Sequence, residues 1–282
     1  MAASAYVRPV SYFLPLLVGL GLLVRAAFTR PIRRRLFVHA GVFFAVAMGL
    51  VAAWQVRNAA LTGYGGFSAI ADANLYFYQA ASVLAADEDS SHYEMQKKMG
   101  YRNDEVYLRE HPEQSNWTRA QRYRYMGRKG RQILIRHPMT YAKIHVKGMA
   151  RALLDPGAFE YLKLFKQYPQ SGGLLGVVVD KGLVSAVKTL YDEQPLVFWS
   201  NLGLGVVLAV YLLFGAISLF FRSVRTNTGA VACALVALYF LVLSGGPHAL
   251  GRFRHPIMPV ICILAGAGMA GLARRFRRKT DA

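Results

Sequence analysis

The sequence predicts an all-α polytopic membrane protein, with about five transmembrane helices and a large helical extracytoplasmic region between the second and the third. Three observations indicate this class. Hydrophobic residues make up 54% of the chain, they gather into five apolar segments, and clusters of arginine fall on one side of a bilayer when the helices alternate. The five segments are Tyr6–Val24, Leu36–Trp54, Leu196–Phe221, Ala230–Leu243 and Pro256–Ala273.

Each apolar segment is long enough, or nearly so, to cross ~30 Å of hydrocarbon as a helix. Basic clusters follow the first, third and fifth segments: Arg25, Arg30, Arg33, Arg34 and Arg35, then Arg222 and Arg225, then Arg274, Arg275, Arg277, Arg278 and Lys279. Cytoplasmic loops are enriched in Lys and Arg. We therefore expect a multi-pass membrane protein, with the amino terminus outside and the carboxyl terminus in the cytoplasm.

This organisation divides the chain into three parts. Residues 1–56 form a transmembrane hairpin, residues 57–195 an extracytoplasmic and partly interfacial helical region, and residues 196–282 three transmembrane helices with a basic tail. A first helix that runs inward is typical of the carboxyl portion of a longer protein, in which earlier helices set the orientation. The alternative is that the five arginines behind the first helix direct its insertion alone.

The formal net charge of +19 does not predict nucleic-acid binding, because of where the charge lies. Residues 57–195 carry 19 of the 34 basic residues and 14 of the 15 acidic residues, and most of the remaining positive charge sits at helix ends. Cys233 and Cys262 both fall within predicted spans, so we interpret them as small apolar packing residues rather than a disulfide.

Within 57–195 the sequence predicts three helices. An apolar helix over Ala69–Ala86 ends at the acidic break 87–91, a second helix starts at a cap at Ser115 or Asn116 and runs to about His137, and a third opens at Pro138 and runs to about Leu154. The apolar run Leu174–Val179 is too short to span and is expected at the membrane interface.

The stretch between Glu113 and Asp155 contains ten basic residues and no acid, interleaved with aromatic and aliphatic residues. On helices this pattern is typical of an element pressed against anionic membrane lipid, where each cation contributes about 1 kcal/mol. A solvated charged surface explains the same pattern equally well.

Two short motifs are candidates for binding chemistry. The first is Arg57-Asn58, followed by a glycine-rich turn and Asn74-Leu75-Tyr76, where the second helix leaves the membrane. A cation kept there can bind a lipid phosphate, although pairing of Arg57 with Asp72 or a headgroup is the alternative. Trp54, just before it, is interpreted as an aromatic residue of the membrane interface.

The second motif is the short outer loop Gly246–Pro259, between the fourth and fifth apolar segments. It contains two arginines and two histidines, and Pro256 and Pro259 open the last span. Two guanidinium groups at a helix start suit a phosphate or pyrophosphate leaving group, whereas extension of both arginines toward lipid headgroups is the structural alternative. The spacing of His248 and His255 is too weak to predict a metal site, and we expect neither a metal nor a cofactor.

These motifs resemble those of bacterial GT-C glycosyltransferases that use polyprenyl-phosphate sugars, the branch with protein O-mannosyltransferases and the aminoarabinose transferases of lipid A. The similar stretches are Arg57-Asn58 with its glycine turn and Asn74-Leu75-Tyr76, Ile135-Arg136-His137-Pro138-Met139-Thr140-Tyr141, and Gly251-Arg252-Phe253-Arg254-His255-Pro256-Ile257-Met258-Pro259. They occur in the family's order over roughly residues 50 to 270.

The resemblance implies transfer of a sugar from an undecaprenyl- or dolichyl-phosphate donor to an acceptor on the outer face, with inversion at the anomeric carbon. It implies that Arg57, Arg252 and Arg254 bind the donor phosphate, and that Asn58, Asn74, Tyr76 and His255 line the site. The family's catalytic acid follows an earlier helix and has no counterpart here, so the catalytic residue is unknown. We therefore expect a missing amino-terminal half or a partner membrane subunit. The alternative function is a non-catalytic subunit that binds lipid-linked sugar or a partner in cell-envelope assembly.

Overall fold

The computed structural model describes residues 5–6, 9–29, 33–157, 163–164, 187–188, 191–192 and 195–280. All regular elements in these residues are helical, as predicted for a polytopic membrane protein. Four of the helical segments are long and apolar enough to cross a bilayer: Pro9–Phe28, Arg33–Thr62, Pro195–Ser218 and Gly251–Arg277. The fourth predicted span, Ala230–Leu243, lies in a helix of 16 residues, Thr228–Leu243. Its length of about 24 Å falls short of the ~30 Å hydrocarbon thickness.

The chain forms two compact units. The first comprises Met1–Met149 with Val242–His248, and the second comprises Ala150–Leu241 with Ala249–Ala282. The three parts expected from the sequence are defined by their position relative to a membrane, and they stay a prediction.

In the first unit, a 3₁₀ turn (Pro9–Phe13) leads into α1 (Leu14–Phe28), which packs against α2 (Arg33–Thr62). Aromatic residues join the two at one end. The Tyr6 ring lies 5.1 Å from Trp54 and 5.7 Å from Phe67, and its hydroxyl donates to the Leu50 carbonyl over 2.5 Å. Trp54 donates from Nε1 to the Phe67 carbonyl over 3.2 Å. The end of α2 therefore holds the turn that follows it.

One continuous helix follows this turn, as predicted for Ala69–Ala86. It consists of α3 (Ala69–Asn74), a π-helical segment (Leu75–Ala80) and α4 (Ala81–Asp87). Its buried face contributes Tyr76, Phe77, Ala81 and Ala85 to a hydrophobic core that also contains Met95, Met99, Tyr107 and Met126.

Two short helices, α5 (His92–Lys98) and α6 (Asp104–Glu110), complete that core. Each is seven residues long, too short to show a helical period in the sequence, and each is stabilised at its start by a side-chain cap. The Ser91 side chain accepts from the Glu94 amide, and Asn103 accepts from the Val106 amide.

The basic stretch forms α7 (Arg119–Arg136) and α8 (Pro138–Leu154). The start of α8 at Pro138 agrees with the prediction, but the predicted cap of α7 at Ser115 or Asn116 is wrong. Thr118 is the cap, because it forms a capping box with Gln121, while a 3₁₀ turn (Pro112–Gln114) precedes it. Gly130 of α7 packs against the π-helical segment. An added Cβ at Gly130 would lie 2.9 Å from the Leu75 carbonyl oxygen.

The second unit contains α9 (Pro195–Ser218), α10 (Arg222–Arg225), α11 (Thr228–Leu243, except its last two residues), a 3₁₀ turn (Gly251–Ile257) and α12 (Met258–Thr280). Small residues let α9 and α12 pack closely, as is common between membrane helices. An added Cβ at Gly268 would clash with the Phe214 carbonyl, and one at Gly271 would clash with the Phe221 ring. Cys233 and Cys262 are free thiols. The run Leu174–Val179 lies outside the described residues.

We predict that Gly268→Val weakens the packing of α9 against α12. The added side chain has no space beside Phe214, and overpacking of this kind typically costs about 1–3 kcal/mol. The thermal midpoint of the detergent-solubilised protein should fall by several degrees. Gly266→Val is the matched control on the same helix, because nothing lies within 4 Å of a Cβ at Gly266. Equal losses for the two variants would show that helix propensity, and not packing, causes the effect.

Candidate functional site

A cleft of about 510 Å³ runs along α7 in the first unit. It is lined by Asp72, Trp117, Gln121, Arg124, Gly127, Arg128 and Arg131. Gln121, Arg124, Arg128 and Arg131 follow one another at intervals of three or four residues, which places them on one face of the helix. The result is a row of three guanidinium groups beside a single carboxylate.

Arg128 and Arg131 are exposed, and neither makes a hydrogen bond or ion pair within the part of the chain that the structure describes. Arg124, in contrast, donates to the Gly63 carbonyl. Guanidinium groups bind phosphate and carboxylate oxygens through paired, charge-assisted hydrogen bonds. The arrangement therefore suits an anionic group, with two arginines available for it and a third fixed by the fold.

Asp72 is held in the cleft by a specific hydrogen bond. The Tyr64 hydroxyl donates to Asp72 Oδ2 over 2.7 Å, and Asp72 Oδ1 lies so close to Gly127 that an added Cβ there would clash with it. Burial raises the pKa of Tyr64, and the hydrogen bond to Asp72 raises it further. Tyr64 therefore remains a protonated donor at neutral pH and orients the carboxylate toward α7.

The Arg57-Asn58 motif positions this arrangement from the end of α2. Asn58 Nδ2 donates to the carbonyls of Gly66 and Phe67, each over 3.2 Å. The turn starts at Gly63 with a φ of 71°, a conformation that favours glycine. Asn58 and Arg124 thus fix the two ends of the turn that carries Tyr64 to Asp72.

Arg57 itself points along the surface of α2. Its guanidinium lies 4.6 Å from the centre of the Trp54 ring and donates to Asn58 Oδ1 over 3.2 Å. It does not pair with Asp72, whose partner is Tyr64. Arg57 is exposed, so its predicted role in binding the donor phosphate stays a prediction.

The predicted lining residues Asn74 and Tyr76 have different environments. Asn74 is exposed, whereas Tyr76 is 5% exposed and packs in the hydrophobic core. The Tyr76 hydroxyl is 3.1 Å from His111 Nε2, and burial, with a smaller contribution from Tyr125, raises its pKa to about 12. Of the predicted site residues in this unit, Asn58 is the one that the hydrogen bonds connect to the cleft.

The second motif lies in the second unit, where Arg254 caps a helix. Arg254 is 8% exposed, and its Nη1 donates to the carbonyls of Ala152 (3.1 Å), Leu153 (2.8 Å) and Asp155 (2.8 Å). These carbonyls belong to the last turn of α8 and the residue after it, where no helical amide is available to bond them. Its Nε is buried without a hydrogen-bond partner among the described residues.

Asp155 completes this cap by accepting from two backbone amides. Its Oδ2 accepts from Gly251 over 3.0 Å and its Oδ1 from Gly157 over 2.9 Å. Arg252 is exposed, with its guanidinium 5.5 Å from the Phe253 ring, and His255 is also exposed. The motif therefore joins the start of the last span to the end of α8. The phosphate-binding roles predicted for Arg252 and Arg254 remain predictions.

A polar cluster that the sequence did not indicate joins α4, α5 and the segment 242–248 in the first unit. His92 Nδ1 is 2.7 Å from Ser82 Oγ, and His92 Nε2 is 2.8 Å from His248 Nε2. Burial lowers the pKa of His92 and so favours its neutral ring, which can serve as donor on one nitrogen and acceptor on the other. Among the described residues, no group of three or more His, Cys, Asp or Glu could hold a metal ion.

The cleft itself combines residues that sequence reasoning treated separately. The basic residues of α7 suggested a lipid-facing surface, and Asp72 appeared only as a possible partner of Arg57. Two features of the sequence could have indicated the cleft. They are the helical spacing of Arg124, Arg128 and Arg131, and the presence of Gly127 and Gly130 on the adjoining face of the same helix. Glycines at these positions let another segment approach the helix closely.

Comparison with known proteins finds no matching protein-family model, no matching curated protein and no matching solved structure.

We predict that Arg254→Met destabilises the protein in the absence of any ligand. The substitution keeps an unbranched apolar stem but leaves three carbonyls without their donor, and each unsatisfied buried group costs about 1–3 kcal/mol. The thermal midpoint in neutral detergent should fall clearly, while Arg252→Met, at an exposed position of the same turn, should change it little. An unchanged midpoint for Arg254→Met would contradict a capping role and favour a role confined to ligand binding.

Proposed function

We propose that this chain is a membrane glycosyltransferase of the GT-C type, or the carboxyl-terminal part of one. It transfers a sugar from a polyprenyl-phosphate donor to an extracytoplasmic acceptor at the inner membrane of a bacterium. The observation that carries the proposal is the cleft of α7, in which the exposed Arg128 and Arg131 lie beside Asp72. The order of the motifs that resemble this family supports it independently.

The position of the cleft relative to α2 suits a lipid-linked substrate. Arg124 bonds to Gly63, the residue directly after this apolar 30-residue helix, so α7 lies at the level where the helix ends. Phosphate groups of membrane lipids lie at this level when their chains are in the hydrocarbon. A polyprenyl chain can therefore stay in the bilayer while its phosphate reaches the arginines.

The side chains in the cleft provide the elements of an inverting transfer. The acceptor hydroxyl oxygen attacks the anomeric carbon, the bond from that carbon to the phosphate oxygen breaks, and the hydroxyl proton passes to Asp72. Arg128 and Arg131 stabilise the negative charge of the departing polyprenyl phosphate, an effect that commonly lowers a barrier by several kcal/mol. Asp72 must approach the acceptor hydroxyl to hydrogen-bond distance.

The second candidate is a non-catalytic membrane subunit that binds lipid-linked sugar. One observation favours it: both oxygens of Asp72 already make contacts within the protein, since Oδ2 accepts from Tyr64 and Oδ1 packs against Gly127. A carboxylate engaged in this way can orient α7 without taking a proton. Binding of the donor is common to both candidates, and catalysis by Asp72 separates them.

We predict that Arg128→Gln combined with Arg131→Gln weakens binding of a C55 polyprenyl phosphate more than tenfold. Each charge-assisted hydrogen bond contributes roughly 1.5–3 kcal/mol, so loss of two exceeds a factor of ten in affinity. Binding is measured with radiolabelled lipid and protein in nanodiscs of neutral phospholipid. The uncharged polyprenol serves as the ligand control.

The matched control variant combines Arg119→Gln with Arg136→Gln. Both residues are exposed on α7, outside the cleft, and their replacement removes the same charge. Equal weakening by the two double variants would indicate general electrostatic attraction and overturn the assignment of the cleft. Equal binding of polyprenol and polyprenyl phosphate by the unaltered protein would also overturn it.

Asp72→Asn distinguishes the enzyme from the subunit. Asparagine keeps the shape and can still accept from Tyr64, but it is not a base. Release of polyprenyl phosphate from its mannose and aminoarabinose derivatives, with envelope lipid as acceptor, should fall at least about 10²-fold while donor binding persists. Asp89→Asn, in an exposed turn, is the control and should leave turnover intact. Unchanged turnover in Asp72→Asn would exclude Asp72 as the base, and donor binding without turnover in the unaltered protein would favour the subunit.

A further inference from the structure

A second cavity, an apolar groove of about 300 Å³, lies in the second unit between α11 and α12. It is lined by Ser223, Val224, Asn227, Gly229, Ala230, Cys233, Val260, Ile263, Leu264 and Ala267. Small residues on α11 and aliphatic residues on α12 form its length, whereas Ser223 and Asn227 give it one polar end. Because α12 belongs to an apolar span, the groove is at the depth of the hydrocarbon chains.

Arginines flank the lining residues at the polar end of this groove along the chain. Arg222 and Arg225 are exposed and lie on α10, on either side of the lining residues Ser223 and Val224. The end of α12 adds further cations nearby, since Gly271 packs against the ring of Phe221, and Arg274 and Arg275 follow within about one turn. The groove thus runs from an apolar interior to a strongly cationic mouth.

We infer that this groove binds one anionic phospholipid of the bilayer, with an acyl chain between α11 and α12 and the headgroup phosphate at Arg222 and Arg225. The apolar length suits a hydrocarbon chain, and the arginine-rich mouth is complementary to a negative headgroup rather than to a neutral one. This inference does not rest on the proposed transferase, because the groove lies in the second unit and the cleft of α7 lies in the first.

The two cysteines provide an internal probe of occupancy. Cys233 lines the groove, whereas Cys262 is exposed on α12 and is not among the lining residues. A lipid chain in the groove should cover the first thiol and leave the second unchanged. The ratio of the two modification rates therefore measures occupancy of the groove, and Cys262 is the control within the same protein.

The test uses the full chain in neutral detergent, titrated with phosphatidylglycerol or with phosphatidylcholine. Native mass spectrometry counts bound lipids, and N-ethylmaleimide at pH 8.5 measures the reactivity of each thiol. We expect one phosphatidylglycerol to bind about tenfold more tightly than phosphatidylcholine, and to slow modification of Cys233 several-fold without slowing Cys262. Arg222→Gln combined with Arg225→Gln should abolish this preference.

Two further variants locate the effect. Arg34→Gln combined with Arg35→Gln removes the same charge from the start of α2, in the first unit, and should leave the preference intact. Ala267→Phe fills the groove from α12 and should abolish retention of the lipid. The inference is overturned if phosphatidylcholine binds equally well, if the two arginine double variants behave alike, or if Cys233 is protected without lipid in a dimeric species. The last result would assign the groove to a second copy of the chain.

Discussion

The structure depends first on the requirement that every backbone amide and carbonyl in hydrocarbon be bonded within its own segment. This requirement produces the long helices α2, α9 and α12 and moves irregular backbone to their ends. Polar side chains then satisfy the backbone that the helices leave open. Asn58 does so for the carbonyls of Gly66 and Phe67, and Arg254 does so for the last turn of α8.

The long helices were predictable because hydropathy and length determine them almost alone. Proline at the first position of α8 also identified its start to the residue, since its missing amide would have had no helical partner there. The two short helices α5 and α6 were not predictable in the same way. Their stability comes from caps at Ser91 and Asn103 and from packing against Tyr76 and Phe77, which lie elsewhere in the sequence.

The site was predictable only in part, because a sequence gives the residue type at each position but not the direction in which its side chain points. Arg254 and Arg252 are two residues apart, yet one is buried among carbonyls and the other is exposed. Asp72 acquires its environment from α7, which follows it by about fifty residues, and from the turn that Asn58 holds. An arginine at the membrane surface can donate hydrogen bonds to the protein backbone or extend toward the lipid headgroups. Which of the two occurs depends on whether unpaired carbonyls lie within reach of its guanidinium group.

The π-helical segment Leu75–Ala80 has a consequence for the evolution of this region. A π-turn accommodates one residue more than an α-turn, and each residue of a helix turns its side chain by about 100°. Loss of a single residue within the segment would restore regular winding and rotate Ala69–Asn74 against Ala81–Asp87. The direction of the Asp72 carboxylate, which now meets Tyr64 and Gly127, would change relative to the core residues of Ala81–Asp87. The extra residue of the π-turn therefore determines on which side of this helix the acidic group lies.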